Sequence, residues 1–325
     1  MGCSCILNNN ENEFINPHNI EYITTDFQPT KLNTSQIKFN RQYPENISNL
    51  SSSIKSSPFI QSSKIKPQEI ISLLNILPPL QDKTQVELHF PIKYENQAEY
   101  FGETKKSTEI RHGRGIQIWI DGSRYEGYWI NDKANKKGKL IHSDGDIYEG
   151  EWKDDKVEGF GKYVHLDGSK YEGEWKDDKQ HGKGIETWVD GTIYEGDYLE
   201  GKKHGFGIFK WSDGSVYEGE FADNLLNGQG TYKWNDKRQF TGMWKNNKIN
   251  GKGIFLWPDG RKYEGEYKDD KKEGYGEFEW DGGKKYKGYW KNGKQHGEGL
   301  FYSVKNKSWR KGVWENGKRT KWIKE

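Results

Sequence analysis

Hydrophobic and polar residues alternate one by one along short stretches of this chain, and the stretches recur. In Tyr171-Glu172-Gly173-Glu174-Trp175, side chains two apart share a face, so Tyr171, Gly173 and Trp175 point one way and the two glutamates the other. This is the pattern of a half-buried strand. The polar run from Lys176 to His181 reads as a loop, and a second alternating stretch from Gly182 to about Trp188 puts Gly182, Gly184 and Trp188 on one face. Asp190-Gly191 then leads into the next unit. Asp-Gly between alternating stretches signals a two-residue hairpin turn whose central residues take positive φ.

The unit returns every 23 residues: an aromatic ring stands at Tyr125, Tyr148, Tyr171, Tyr194, Tyr217, Phe240, Tyr263 and Tyr286, each followed two residues later by glycine. A period of this length marks a linear array of small identical units. The expected fold is all-β, an elongated single-layer antiparallel β-meander of repeated hairpins. Roughly 18 strands at ~4.7 Å spacing would make a ribbon on the order of 85 Å long. Glycine recurs on a packing face where a ring or backbone must come close. The aromatic face is therefore expected to be the core, with rings of neighbouring strands lying over glycine gaps.

Composition places the boundary of the array. Only Gly2 among the 39 glycines precedes Gly102, all 14 tryptophans lie at Trp119 or later, and eight of nine prolines lie at or before Pro91. Residues 1–95 therefore read as a largely disordered tether that cannot bury enough apolar surface, and residues 96–325 as the array. Within the tether, residues 67–77 form the one candidate helix: Pro67 opens it, Pro78-Pro79 closes it, and Ile70, Leu73, Leu74 and Leu77 share a face. Such a helix either caps an open end or packs on the aromatic face, or else docks a partner or a membrane surface.

Tyr-Glu-Gly-Glu-Trp, followed by Gly-Lys-Gly and Asp-Gly, resembles the MORN repeat (membrane occupation and recognition nexus). The likeness covers about Tyr100 to Trp314 in about nine repeats. Departures stand at Lys136 for the first glycine of the Gly-x-Gly pair, Asp236-Lys237 for Asp-Gly, and Thr241 and Lys287 for the glutamate. Local irregularity is expected there.

Charge narrows the functional classes. Residues 1–95 carry 8 basic and 9 acidic groups and the remainder 43 and 40, a balance that gives no bulk attraction for nucleic acid. No apolar run is long enough to cross a bilayer as a helix. The two cysteines, Cys3 and Cys5, follow Met1-Gly2, which is the position for myristate on Gly2 and palmitate on the thiols. Two chains make a stable anchor where one does not. Ile6 stands where the myristoylation motif has Ser or Thr.

No catalytic constellation emerges. The pairs Asp154-Asp155, Asp177-Asp178 and Asp269-Asp270 sit in loops, where aspartate favours turns. His112, His181, His204 and His296 recur one residue before a Gly-x-Gly pair, and that motif precedes strands here, so it is no phosphate loop. No cofactor, metal or enzymatic activity is expected. The expected function is a scaffold that binds protein along its aromatic face, through Tyr171, Trp175, Trp188, Tyr194, Trp211, Tyr217, Trp234, Trp257, Tyr263 and Trp280. Lipidation at Gly2, Cys3 and Cys5 would hold it to the cytosolic face of a membrane, and array ends could pair two copies. The family resemblance also implies an axonemal, radial-spoke-like subunit of a cilium or flagellum as an alternative, and more remotely a regulatory partner of a lipid kinase.

Overall fold

The structure, a computed structural model, describes residues 67–324. It is all-β, with 21 antiparallel strands and one short helix. Two compact units hold the described residues, one of residues 67–189 and 198–201, the other of residues 190–197 and 202–324.

In the first unit the sheet begins ahead of residue 96. Strand Val86–Lys93 pairs antiparallel with Glu99–Lys105, because Val86, Leu88 and Phe90 alternate with polar residues although they lack the glycine rhythm that marks the repeats. With this strand, and with Ser308–Glu315 and Lys318–Trp322 in the second unit, the count exceeds the 18 that the period alone suggests.

One repeat explains the burial. Gly173 faces Gly161 on one neighbouring strand and Gly184 on the other, so a lane of bare backbone crosses the strands. The Tyr171 ring lies in that lane: a Cβ on Gly184 would fall 2.5 Å from it. The Tyr171 hydroxyl donates to the Glu174 carbonyl at 2.9 Å, and the Trp175 indole N–H donates to the Gly161 carbonyl at 3.2 Å. Tyr171 and Trp175 meet edge to face at 5.1 Å, the arrangement that suits the ring quadrupoles. A single layer can thus bury a tyrosine to 0% exposure with its polar atom satisfied, as burial requires. The second unit repeats the device at Tyr217 and Tyr263.

The turn types are exchanged relative to the sequence expectation. Asp177 and Asp178 take φ of +48° and +64°, so the acidic pair is the two-residue hairpin turn with both central residues left-handed, and its second strand starts at Lys179. At Asp167-Gly168 only the glycine has positive φ, and Gly168 N–H closes on the His165 carbonyl at 2.9 Å, a type I turn followed by a glycine bulge. Gly182, expected on the face of Gly184, instead takes φ +58°, and a Cβ there would strike Glu174 on the other face. It serves a bulge, visible as the register shift between Gly173 and Trp175.

The irregular repeats keep the fold. Lys136 (φ +55°) and Lys237 (φ +70°) adopt the glycine conformation of their positions, and Lys237 N–H still closes on the Trp234 carbonyl at 3.0 Å.

The helix occupies Pro67–Ile76, as expected, but neither caps an end nor touches the aromatic face. Ile70 and Leu74 pack on Phe101, Ile116 and Ile118, which alternate with Tyr100, Gly115 and Gln117 and so lie on the opposite, outer face. The aromatic face is unavailable because its rings already fill the glycine lanes.

Candidate protein-binding surface

The ten aromatics expected to form the binding surface divide by exposure. Tyr171, Tyr194, Tyr217 and Tyr263 are 0% exposed and Trp175 3%. They are the core, and a partner would find almost no area on them. Trp234 is buried as well. Trp188, Trp211, Trp257 and Trp280 remain half-buried, each beside an Asp-Gly-type turn. Arg261 lies over the Trp257 ring at 5.3 Å.

The outer face carries the accessible apolar groups. In the first unit Phe160 is 55% exposed and Ile185 is also exposed; in the second, Phe206, Met243, Tyr275, Tyr289 and Leu300 are. Phe160, Phe206 and Tyr275 occupy the middle position of Gly-x-Gly, where other repeats carry Arg114, Lys137, Lys183, Gln229, Lys252 or Glu298. Parity alone puts this variable position opposite the rings, and variation within a fixed motif is the signal that could have found this surface.

The helix shows what the outer face can hold. Arg114, the middle residue of Gly113-Arg114-Gly115, donates to the Leu77 carbonyl at 3.1 Å and is ion-paired with Glu103 at 2.5 Å. The last carbonyls of a helix otherwise lack donors, and a cation there also suits the helix dipole. Its cross-strand neighbour Tyr128 donates its hydroxyl to the Pro78 carbonyl at 2.6 Å. Past the helix end a groove of about 760 Å³ runs over the backbone of Gly127, Gly138, Gly150 and Gly161, with Ile76, Leu77, Ile116 and Phe160 among its walls.

The polar candidates have structural partners. Asp155 and Asp178 accept from the N–H of Ala134 and Val157 at 2.8 and 2.7 Å, and in the second unit Asn224, Asn247 and Asp270 accept from Lys203, Leu226 and Ile249. Where the second turn residue of a hairpin is Asp or Asn, its side chain thus latches onto the hairpin before it; at Gly201, Gly293 and Gly317 the backbone N–H alone reaches back. Burial pushes the Asp155, Asp178 and Asp270 carboxyls up, against the pull of these backbone hydrogen bonds. Asp146 is the opposite case. Burial alone would raise it, yet hydrogen bonds from His165 (2.9 Å), the Leu166 N–H and the Tyr163 hydroxyl hold it well below the usual carboxylate range. His112 bonds Asp82 at 2.8 Å. Among the described residues no group of three His, Cys, Asp or Glu is arranged to hold a metal. Gly2, Cys3 and Cys5 lie outside the described residues.

The MORN repeat profile matches nine consecutive segments: 110–124, 125–147, 148–170, 171–193, 194–216, 217–237, 240–260, 263–285 and 286–307. No curated protein matches the sequence. Among solved structures, the chain is similar to the TCP10 domain of Danio rerio CPAP in complex with a STIL peptide, with 10% identity over 73% of this chain and 99% of that one, at a TM-score of 0.39. The TCP domain of Drosophila melanogaster SAS-4, in complex with a proline-rich motif of Ana2, shares 14% identity over 57% and 96% at a TM-score of 0.31. Scores this low carry no functional argument.

Proposed function

The chain belongs to the MORN-repeat family, and from that premise we propose that it is a non-enzymatic scaffold whose repeats bind protein partners through the outer face. The carrying observation is the helix Pro67–Ile76, seated on that face and held by Arg114 and Tyr128, beside apolar residues that stay exposed among the described residues. A sheet whose rings are spent on its own core offers partners the other side. We also propose that acylation at Gly2, Cys3 and Cys5 tethers the scaffold to the cytosolic side of a membrane. A second reading, an axonemal subunit without a membrane role, rests on the family resemblance; Ile6 departs from the myristoylation motif and speaks against myristate on Gly2.

Two measurements test these statements. Partners found by proximity labelling should bind the purified full chain directly, and Phe206→Lys should weaken at least one of them while Tyr171, in the core, yields no cross-link. If every partner binds Phe206→Lys and a Phe160→Lys variant as well as wild type, the outer-face reading fails. For the tether, the tagged full chain should float with membranes, and Cys3→Ser with Cys5→Ser should release it. Wild type that stays with detergent-extracted axonemes instead supports the second reading.

A further inference from the structure

The near-neutral net charge of this chain conceals a strong asymmetry. Residues 284–325 hold thirteen basic side chains against three acidic, a net of +10, whereas residues 1–283 hold 38 basic and 46 acidic, a net of −8. In the last four strands, Lys285–Lys291, Lys294–Ser303, Ser308–Glu315 and Lys318–Trp322, Glu298 and Glu315 are the only carboxylates. All of these residues belong to the second unit.

The register brings three of these lysines together on the outer face. Lys287 stands opposite Leu300, Leu300 opposite Lys311, and Val313 opposite Lys321, so lysines and apolar groups alternate across successive strands. Lys287, Lys311 and Lys321 are exposed; Lys287 lies 3.7 Å from Glu277 and Lys311 2.8 Å from Glu298, in solvent-exposed pairs that an incoming carboxylate can replace at little cost. Among them stand Tyr289, 56% exposed, and Trp309, 41%. Lys287 occupies the position that is glutamate in Glu126, Glu149, Glu172, Glu195, Glu218 and Glu264. The fold therefore accepts glutamate there, and packing does not demand the reversal. Charges this close act together at physiological salt, where the Debye length is about 8 Å.

Three anionic partners are conceivable on charge alone, and the geometry separates them. A bilayer meets one plane, but the basic groups occupy both faces: Arg310 and Arg319 lie over the Trp322 ring at 4.2 and 4.1 Å. Single-stranded nucleic acid needs open ring faces for stacking. Here the rings engage each other, Tyr275 with Tyr289 edge to face at 5.5 Å and Tyr302 with Trp309 at 5.3 Å. An extended polypeptide can lay carboxylates along the lysines and an apolar side chain beside Leu300 and Trp309.

We propose that the outer face of these last four strands is a docking site for an acidic polypeptide segment, with Lys287, Lys311 and Lys321 pairing its carboxylates and Trp309 and Leu300 receiving its apolar residues. This rests on the scaffold reading and assigns one partner class to one end of the sequence. Charge complementarity of this kind raises association rates and makes affinity fall with salt.

The test uses the purified full chain and a fluorescein-labelled glutamate-rich peptide carrying phenylalanine, followed by anisotropy across a salt series. Saturable binding is expected, weakened at least about tenfold by combining Lys287→Glu with Lys321→Glu, since each reversal replaces an attraction by a repulsion. Trp309→Ala should weaken it several-fold. Lys162→Glu, a charge reversal on an exposed lysine of the other unit, should leave it unchanged. Lys287→Glu restores the residue of the other repeats, so it folds. Absence of saturable binding, equal binding by the double variant, or tighter binding of a thymidine oligonucleotide or of phosphatidylserine vesicles in the same buffer overturns the proposal. Partners that depend on Phe160 or Phe206 would persist in the double variant, so failure here is distinguishable from failure of the scaffold reading.

Discussion

Replacing Gly184 by alanine tests the burial mechanism directly. The added Cβ would lie 2.5 Å from the Tyr171 hydroxyl and ring edge and 2.6 Å from Cζ, closer than any real contact, so the ring must leave its lane. Overpacking of this kind costs about 1 to 3 kcal/mol. The displaced ring also loses its hydroxyl bond to Glu174, about 1 kcal/mol, and its edge-to-face contacts with Trp175 and Tyr198, both at 5.1 Å, about 0.5 to 1.5 kcal/mol each. The combined loss is about 3 to 7 kcal/mol. Gly191→Ala is the matched control. Gly191 has φ +87° with no atom within 4 Å of the new Cβ, so it suffers only the left-handed backbone penalty of about 1 to 2 kcal/mol. Repeat arrays unfold as coupled local units, so urea denaturation followed by tryptophan fluorescence should be read beside hydrogen exchange in the strands Lys170–Lys176 and Lys179–Thr187. If Gly184→Ala costs no more than Gly191→Ala, the rings do not rest on the glycines and the account of the core is wrong.

Further expectations follow from the turns. Asp178→Asn keeps an acceptor for the Val157 N–H, as Asn224 and Asn247 do in their own repeats. The Asp178 carboxyl is raised in the folded state, so its stabilising contribution is complete below the ordinary carboxylate value and declines as pH rises through the raised one. The variant should therefore be more stable than wild type at neutral pH, with the advantage vanishing below about pH 4, as read from urea midpoints at both pH values. Asp146→Asn should do the reverse. That carboxylate is lowered by its hydrogen bonds, so its contribution is present above the ordinary value and lost on acidification; the variant should lose about 1 to 3 kcal/mol at neutral pH and less in acid. Lys237→Gly, at a left-handed position occupied by Gly191, Gly214 and Gly260 in other repeats, should gain about 1 kcal/mol, and a lower melting temperature than wild type would refute the strain.

What the sequence reveals here depends on which quantity repeats. The 23-residue recurrence of ring and glycine exposed strands, period and core face, because each unit must place a tyrosine over glycines with no help from a second layer. Turn geometry departs from the local expectation. Asp-Gly favours a two-residue turn in isolation, but the acidic pair Asp177-Asp178 takes that turn because its second carboxylate also satisfies Val157, a contact 21 residues away that no local rule contains. The role of the rings is open in the sequence for a related reason: aromatic residues suggest both core and interface, and only the depth of burial assigns Tyr171 and Tyr217 to the core. Strand Val86–Lys93 and the seat of the helix depend on long-range pairing with residues around Gly102 and Arg114, which a periodicity search passes over.

The latch between successive turns also orders events during synthesis. Val157 N–H is satisfied by Asp178 and Ala134 N–H by Asp155, in both cases by a residue that emerges from the ribosome 21 positions later. A nascent array can therefore complete such a hairpin as soon as the following one appears, and until then a hairpin whose successor carries Asp or Asn at the turn waits with an unmet donor. Growth from the amino terminus completes units in sequence, whereas a chain refolding from denaturant can start at any hairpin and must find the same latches without that timetable.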